Sequence, residues 1–392
     1  MDNKRIYVYS ESEPLDRNVV AHGLYRAASP ILRSIHGYLD GIAIYPIGLT
    51  LDSRDLDREL APLCVSLPRL PTLFCKTLRR YPLLDFGISD RLPAWLLAPF
   101  IRKSSAGILF CFIGADIGTV TRAARLATLA GRTCVFYVVD DFFSPLRQTG
   151  MGKDAIRKVT EQAQEALRAA AKVFTITDGL GELLRQSCGV ASITLSLAFE
   201  TTPRPIAPLK NQIIYLGSIN FLYADGLRTL FKTVEQVRMA TGVDLMVRLT
   251  QTAKIAMQEL GPLPEFVQAA PVETAEGLAS EIASSLFAFL PYTFDPQHRT
   301  MVATSFPSKS MEYLAYARSI VVCGPDYGVA TQYFRRAGLP CVVSSPAELE
   351  DMILTHLSTQ PDFSAMYREY LASTHSLVAA RKTLCAGLDL DL

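Results

Sequence analysis

The 392-residue sequence has almost no excess of either charge and no long apolar run. Its net charge is +1, whereas general nucleic-acid binding usually needs a marked basic excess. The longest apolar runs, near residues 92–101 and 107–114, are shorter than the roughly 20 residues that a membrane-spanning helix needs. Apolar residues make up 49% and charged residues 20% of the chain, which is a globular composition. A nucleic-acid-binding protein and an integral membrane protein are therefore both disfavoured.

The sequence also lacks the spacings of common metal and cofactor sites. Its eight cysteines include no Cys-x-x-Cys pair, and its five histidines show no ligand spacing such as His-x-x-x-His. It has no Gly-x-Gly-x-x-Gly, so nothing supports a nicotinamide enzyme. Residues 1–13 are polar and charged around one short apolar strand, unlike a signal peptide. We therefore expect no metal, no resident cofactor, reduced cysteines and a cytoplasmic location.

The pattern that is present is an alternation of β-rich runs with helical segments. Because the strands are nearly continuous apolar runs, they predict parallel sheets covered on both faces. The fold class predicted is α/β, with two doubly wound, Rossmann-like domains that face each other across a cleft. The predicted strands are 5–10, 41–47, 107–114, 134–140, 173–177, 193–197, 212–218, 244–250, 286–291, 319–324 and 340–345. The clearest predicted helices are 18–35, 119–130, 153–171, 227–241 and 347–358.

Prolines mark the boundary between the two domains. Pro203, Pro205 and Pro208 interrupt any regular element, so residues 201–210 are predicted to be a hinge. The first domain is then 1–200 and the second is 211–361. The tail, 362–392, has a helical pattern and is predicted to pack back on the first domain.

One short motif in the second domain suggests a chemistry. A predicted strand is followed by a loop, and a helix is expected to open at Pro307 and Ser308, with Lys309 and Glu312 three residues apart in its first turn. The amides of an opening helical turn attract phosphate. A cation and a carboxylate beside them can bind a pyrophosphate and a ribose hydroxyl. The alternative is a pair of opposite charges on a solvated helix surface, worth only about 0.2–0.5 kcal/mol.

The sequences Phe306-Pro307-Ser308-Lys309 and Glu312-Tyr313-Leu314-Ala315 resemble the donor-binding helix of GT-B glycosyltransferases, especially the family 4-like group. The resemblance implies that Glu312 holds the donor ribose and that the helix-start amides meet the pyrophosphate. Three features depart from that family: Thr304 stands where an acidic residue is usual, Ser218 and an uncharged stretch replace loop cations, and the helix ends in Tyr316-Ala317-Arg318 where a glycine is common. A lysine at position 309 also resembles inverting bacterial polysaccharide glucuronosyltransferases, so the stereochemical outcome stays open.

Other residues that follow predicted strands are candidates for the same donor. Gly217 and Ser218 form a loop in which backbone amides can approach a phosphate, as they can in the loop 324–328. Arg248 or Arg299 is a candidate helper cation for Lys309. Tyr292, or Phe294, is a candidate for stacking on the nucleobase, although an aromatic residue there can equally close the end of the strand.

Two adjacent carboxylates follow a predicted strand of the first domain. Asp140 and Asp141 repel each other, which raises one pKa and prepares a general base for an acceptor hydroxyl. The sequence does not say which of the two would act. The alternative is that they cap a turn or a helix.

A segment of the first domain departs from the alternation. Residues 66–107 combine seven Lys and Arg and two acidic residues with prolines, apolar residues and the single tryptophan, Trp95. Such a mixture suits contact with an anionic membrane surface. The alternative is an insertion whose apolar residues pack on the sheet while its charges stay in water.

Together these features predict a glycosyltransferase that moves a sugar from a nucleoside diphosphate sugar, with UDP preferred by family frequency. The absence of an Asp-x-Asp motif after a strand favours a metal-independent GT-B reaction. The predicted acceptor is a glycan or lipid-linked molecule of cell-envelope polysaccharide synthesis, at the inner face of the membrane. The alternatives are a nucleotide-sugar epimerase of the same fold, a non-catalytic glycosyltransferase-like partner and, less favoured, a two-domain solute-binding protein.

Overall fold

A computed structural model describes residues 5–10, 23–44, 57–66, 91–146, 151–340, 342–343 and 345–391. The described chain divides into two compact units. The first contains the described residues within 5–10, 24–198 and 377–391, and the second contains Gly23 and the described residues within 199–376. Each unit is built around one parallel β-sheet.

The sheet of the first unit has seven described strands in the order β3-β2-β1-β4-β5-β6-β7. They are β1 (Ile6–Ser10), β2 (Leu39–Ile44), β3 (Cys64–Ser66), β4 (Ile108–Ile113), β5 (Thr133–Val138), β6 (Lys172–Thr175) and β7 (Ile193–Thr194). Its described helices are Gly23–Ser34, Arg91–Lys103, Ile117–Ala130, Phe143–Leu146, Lys153–Ala169, Asp178–Cys188 and Leu377–Leu388, with 3-10 turns at His36–Tyr38 and Ala61–Leu63.

The sheet of the second unit has six described strands in the order β10-β9-β8-β11-β12-β13. They are β8 (Lys210–Tyr215), β9 (Met246–Leu249), β10 (Val267–Ala269), β11 (Ser285–Pro291), β12 (Ile320–Cys323) and β13 (Val342–Val343). Its described helices are Ala224–Thr241, Ala253–Leu260, Ala275–Ser284, Arg299–Thr304, Ser310–Tyr316, Val329–Arg336, Leu349–Thr359 and Ser364–Thr374, with 3-10 turns at Pro296–His298 and Pro346–Glu348.

Both sheets have the doubly wound order, in which the chain starts near the middle, runs to one edge and returns to continue on the other side. All residues of β1, β11 and β12 are buried, because helices cover both faces of a parallel sheet. The α/β, doubly wound prediction for each unit is confirmed. The three-residue edge strands β3 and β10 were not predicted, since so short a run carries no periodic signal.

Two segments outside the sheets bear on the predicted organisation. Residues 91–103, part of the segment 66–107, form a helix that contains Pro99. The tail 362–392 is divided between the units. Helix Ser364–Thr374 stays in the second unit, where the Tyr367 hydroxyl accepts a hydrogen bond from the Ile320 amide at 3.2 Å. Helix Leu377–Leu388 belongs to the first unit, where Gly387 lets it close on Phe174.

No helix within the described ranges is long and apolar enough to cross a bilayer.

Candidate functional site

The carboxyl ends of β8 and β11 mark the point in the second sheet where the strand order reverses. The two strands are hydrogen-bonded neighbours, although β9 and β10 lie between them in the chain. Ligands of doubly wound folds bind in the crevice at such a point. Gly217 lies two residues beyond β8, and Tyr292 follows β11 directly. The loops that leave these two strands therefore define the candidate site of this unit.

Tyr313 ties the two strand ends to the helix that carries the predicted motif. Its hydroxyl accepts a hydrogen bond from the Leu216 amide at 2.8 Å and donates one to the Phe289 carbonyl at 3.2 Å. Helix Ser310–Tyr316 is buried along its whole length. It begins at Ser310, later than the predicted start at Pro307, because a turn closed by the Ser310 amide and the Pro307 carbonyl at 3.0 Å precedes it.

Lys309 is the N-cap residue of this helix and projects onto aromatic rings. Its Nζ atom lies 2.8 Å from the Tyr215 hydroxyl oxygen, 4.0 Å from the centre of the Tyr215 ring and 4.1 Å from that of Tyr223. Burial lowers the pKa of Lys309 well below its ordinary value, and the negative charge of Glu312 partly opposes that effect.

Glu312 is only 6% exposed. A buried carboxylate three residues from a half-buried lysine is not a solvated surface pair, so the alternative interpretation of the motif is excluded. A buried charge is costly unless other groups interact with it. Glu312 does have such interaction partners in this structure, so its burial is compatible with a stable fold. The motif therefore places a cation and a carboxylate inside the unit, beside the point where the strand order reverses.

Gly217 approaches the same lysine. A side-chain carbon on Gly217 would lie 3.6 Å from Lys309 Cε, and its φ of +83° is a conformation that favours glycine. The carbonyl of Ser218 accepts a hydrogen bond from the Tyr215 hydroxyl at 2.6 Å. Ser308 is half-buried and Pro307 is buried in the turn before the helix. The structure thus brings together five predicted donor residues: Gly217, Ser218, Pro307, Ser308 and Lys309.

Arg248 and Tyr292 have other roles in this arrangement. The guanidinium of Arg248 donates to the carbonyls of Leu249 and Ala270 at 2.5 and 2.6 Å and lies 3.8 Å from Glu281. These contacts hold the sheet edge and occupy the guanidinium. Tyr292 is fully buried and donates to the Ser305 carbonyl at 2.5 Å. Its ring therefore offers no exposed face to a base.

The two carboxylates of the first unit have separate environments. Asp141 is 1% exposed and accepts from the amides of Phe143 and Ser144 at 2.8 and 3.2 Å and from the Ser144 hydroxyl. It therefore caps helix Phe143–Leu146, as the alternative interpretation held. Asp140 is half-buried, and it accepts from the Asp141 amide at 3.0 Å. Of the two, Asp140 has the more accessible carboxylate.

Three tyrosines of this site were not found from the sequence. The rings of Tyr215 and Tyr223 contact Lys309, which is far from both in the chain, and Tyr313 joins the loop after β8 to β11. Tyr215 lies inside the predicted strand 212–218 and Tyr313 inside the quoted motif, but an aromatic residue in such a place is usually a core residue. Within the ranges that the structure describes, no three His, Cys, Asp or Glu side chains cluster as metal ligands do.

No protein-family model and no curated protein matches the sequence. Solved structures do match over nearly the whole chain. Sucrose-phosphate synthase from Thermosynechococcus elongatus superposes with a TM-score of 0.64 at 11% identity, covering 98% of each chain. An α,α-trehalose-phosphate synthase (UDP-forming) from Burkholderia xenovorans, in complex with glucose-6-phosphate, has a TM-score of 0.61 at 10% identity, covering 98% of this chain and 100% of its own.

An E. coli structure described as trehalose-6-phosphate bound with UDP-2-fluoro glucose has a TM-score of 0.62 at 10% identity, covering 99% of both chains. These neighbours have the GT-B fold. The chain therefore has the GT-B fold, and that prediction is confirmed. The resemblance to family 4 within that fold stays a prediction.

Proposed function

We propose that this protein is a glycosyltransferase that moves a sugar from a UDP-sugar to a hydroxyl acceptor. The observation that carries the proposal is the likeness to GT-B structures over nearly the whole chain, among them a UDP-forming synthase and a complex with UDP-2-fluoro glucose. The donor diphosphate binds at the loop of Gly217 and the turn before Ser310, with Lys309 as its main cation. Glu312 holds the ribose. No resident cofactor takes part.

The role of Lys309 is to stabilise the negative charge of the departing UDP. Charge stabilisation by a positioned cation is commonly a large part of catalysis in transfer reactions. In this proposal Lys309 supplies the positive charge and the reaction needs no metal ion. We expect turnover to be unchanged by EDTA.

Calorimetric titration tests the donor site. We expect the wild type to bind UDP more tightly than GDP or ADP, and Lys309→Met to weaken UDP binding by about 10- to 150-fold, the range for loss of a charged hydrogen bond. Lys232→Met is the matched control, because Lys232 is exposed on helix Ala224–Thr241 of the same unit. Equal affinities of the two variants would contradict the proposal. UDP binding without release of sugar from any donor would favour a non-catalytic partner protein.

Asp140 is the proposed general base that accepts the proton of the acceptor hydroxyl. Asp140→Asn should lower turnover by about 10²- to 10⁴-fold, the usual contribution of such a base, and leave UDP affinity unchanged. Asp141→Asn is the matched control, since asparagine caps a helix about as well as aspartate. Turnover that depends on Asp141 and not on Asp140 would reverse the assignment.

The proposed acceptor is a glycan or lipid-linked molecule of cell-envelope polysaccharide synthesis, reached at the inner face of the membrane through residues 66–107. Residues 67–90 lie outside the described part of the chain. In helix Arg91–Lys103, Trp95 is 67% exposed and Phe100 is 47% exposed, and Lys103 is exposed beside them. Aromatic residues together with lysine suit the surface of anionic lipids.

Trp95 is the only tryptophan, so its fluorescence reports on this helix alone. We expect a blue shift with vesicles that contain phosphatidylglycerol and none with phosphatidylcholine vesicles. Phe100→Ala and Lys103→Glu should each weaken the binding. Phe221→Ala is the control, because Phe221 is a similarly exposed aromatic residue, at 42%, in the second unit. An unshifted spectrum with anionic vesicles would contradict membrane contact by this helix.

A further inference from the structure

The ammonium of Lys309 is held in a defined place by two tyrosines. Its Nζ atom lies 4.0 and 4.1 Å from the ring centres of Tyr215 and Tyr223, well within the range of cation–π attraction. Tyr215 is fully buried and Tyr223 is 8% exposed, so neither ring can move far without disturbing the core. We call Tyr215 and Tyr223 the tyrosine cage.

The hydrogen bonds of the Tyr215 hydroxyl define the direction of its bond to Lys309. The hydroxyl has one proton, and that proton goes to the Ser218 carbonyl at 2.6 Å. The Tyr215 oxygen therefore accepts from the ammonium at 2.8 Å. An ammonium has three N–H donors. Among the described residues Tyr215 is the one hydrogen-bond acceptor of Lys309, which leaves two donors for a ligand.

Two other tyrosines near the cage have hydroxyl groups that are engaged with the backbone. Tyr313 and Tyr292 lie near Tyr215, and their hydroxyls donate to the backbone carbonyls of Phe289 and Ser305. Glu312 is the negatively charged group whose field reaches Lys309. Gly217 has no side chain, so the position 3.7 Å from Lys309 Nζ that a Cβ atom would take is not filled by this residue.

We propose that Tyr215 and Tyr223 are positioning residues that hold Lys309 so that two of its N–H groups point to the diphosphate of the donor. This inference rests on the proposed function, because it assigns the ligand of Lys309 as a nucleoside diphosphate. A lysine side chain loses considerable rotamer entropy when it is fixed. The cage fixes the side chain before the nucleotide arrives, so binding does not have to supply that ordering.

A double-mutant cycle separates this role from a structural one. The variants are Tyr223→Leu, Lys309→Met and the double variant, each titrated with UDP. Tyr223→Leu alone should weaken UDP binding by about 2- to 30-fold, the range that corresponds to a lost cation–π contact. In the Lys309→Met background the same change should alter affinity by less than about twofold, since Tyr223 acts through Lys309. Tyr223→Phe keeps the ring and should restore most of the affinity.

The same cycle is measured without nucleotide by thermal unfolding. Loss of the cage contact should make the Tm shifts of the two single variants non-additive by about 1–8 °C. Phe221→Leu in place of Tyr223→Leu is the control, because Phe221 is on the same loop but packs on His298, and its shift should add to that of Lys309→Met.

The outcomes distinguish the cage from the proposed function. Additive Tm shifts for Tyr223 and Lys309 would overturn the cage itself. A second outcome is that the Tm shifts are non-additive but the UDP affinity of Tyr223→Leu equals that of the wild type. This result would overturn the positioning role of the cage and would leave the proposed function unaffected. A wild type that binds no nucleoside diphosphate would overturn the proposed function, and the role of the cage toward a diphosphate with it.

Discussion

The substitution Tyr313→Phe removes a single hydroxyl group, but it should destabilise the second unit considerably. Tyr313 is fully buried, and its hydroxyl joins the Leu216 amide to the Phe289 carbonyl. Burial raises the pKa of Tyr313, so the hydroxyl stays protonated and keeps both roles at neutral pH. Phenylalanine fills the same space but leaves both backbone groups without this partner.

The magnitude follows from the burial of those backbone groups. Leu216 is 4% exposed and Phe289 is fully buried, so water does not readily replace the hydroxyl. A buried polar group that loses its partner costs about 1–3 kcal/mol. We expect a total loss of about 2–3 kcal/mol, because the Phe289 carbonyl has a second lone pair for the sheet while the Leu216 amide has one proton. For a unit of this size, that is a Tm decrease of about 4–12 °C.

The assay is differential scanning calorimetry, together with UDP titration of the folded protein. The bond to Leu216 lies next to Gly217, so UDP affinity should also fall, by about fivefold for each 1 kcal/mol lost at the loop. Tyr327→Phe is the matched control, since Tyr327 is half-buried and contacts the Arg299 guanidinium through its ring at 4.0 Å. Equal Tm values for the two variants would refute the bridging role of Tyr313.

Three further predictions test single features of the second unit. Burial lowers the pKa of His356, whose ring forms hydrogen bonds with the Met352 carbonyl and the Ser319 hydroxyl. The stability that this neutral ring contributes is therefore fully present above the ordinary histidine pKa of about 6.5 and is lost as the pH falls through the lowered pKa, and in urea unfolding His356→Gln should lose less stability over that range. Because burial lowers the pKa of Lys309 and its cation binds the diphosphate, UDP affinity should fall with rising pH already below the ordinary lysine pKa of about 10.4, whereas the affinity of Lys309→Arg should stay constant in a titration over the same range. Gly217→Ala should lower the Tm by about 2–4 °C in calorimetry, since a φ of +83° costs an L-residue about 1 kcal/mol or more; an unchanged Tm would contradict that strain.

The predicted strands agree with the structure where their apolar runs are long. Strand β11, Ser285–Pro291, is buried at every position. A strand with apolar side chains on both of its faces is typical of a parallel sheet that helices cover on both sides. The spacing of Lys309 and Glu312 likewise places the two residues on one side of a helical turn. Patterns of this kind depend on neighbours a few residues away, so they can be read along the chain.

Arg248 and Asp141 show what the position of a residue at a strand end does not decide. Each lies at or just beyond the end of a strand, where ligand-binding residues are common, and each instead satisfies nearby backbone groups. Arg248 turns to the Ala270 carbonyl on the next loop, and Asp141 turns to the amides of the helix that follows it. A charged residue at the end of a strand can bind a ligand or can hydrogen-bond to nearby backbone groups. The residue type and its position in the sequence are the same in both cases, so the sequence alone does not distinguish the two roles.

The amino-acid sequence by itself determined two doubly wound α/β units and a lysine and a glutamate in one motif of the second, because apolar periodicity and helical spacing are local properties. Only the tertiary structure decided what surrounds that lysine. Tyr215 and Tyr223 contact Lys309 because β8 and β11 are neighbours in the sheet, although β9 and β10 separate them in the chain. Contacts between residues so far apart in the chain cannot be predicted from the local spacing of residue types.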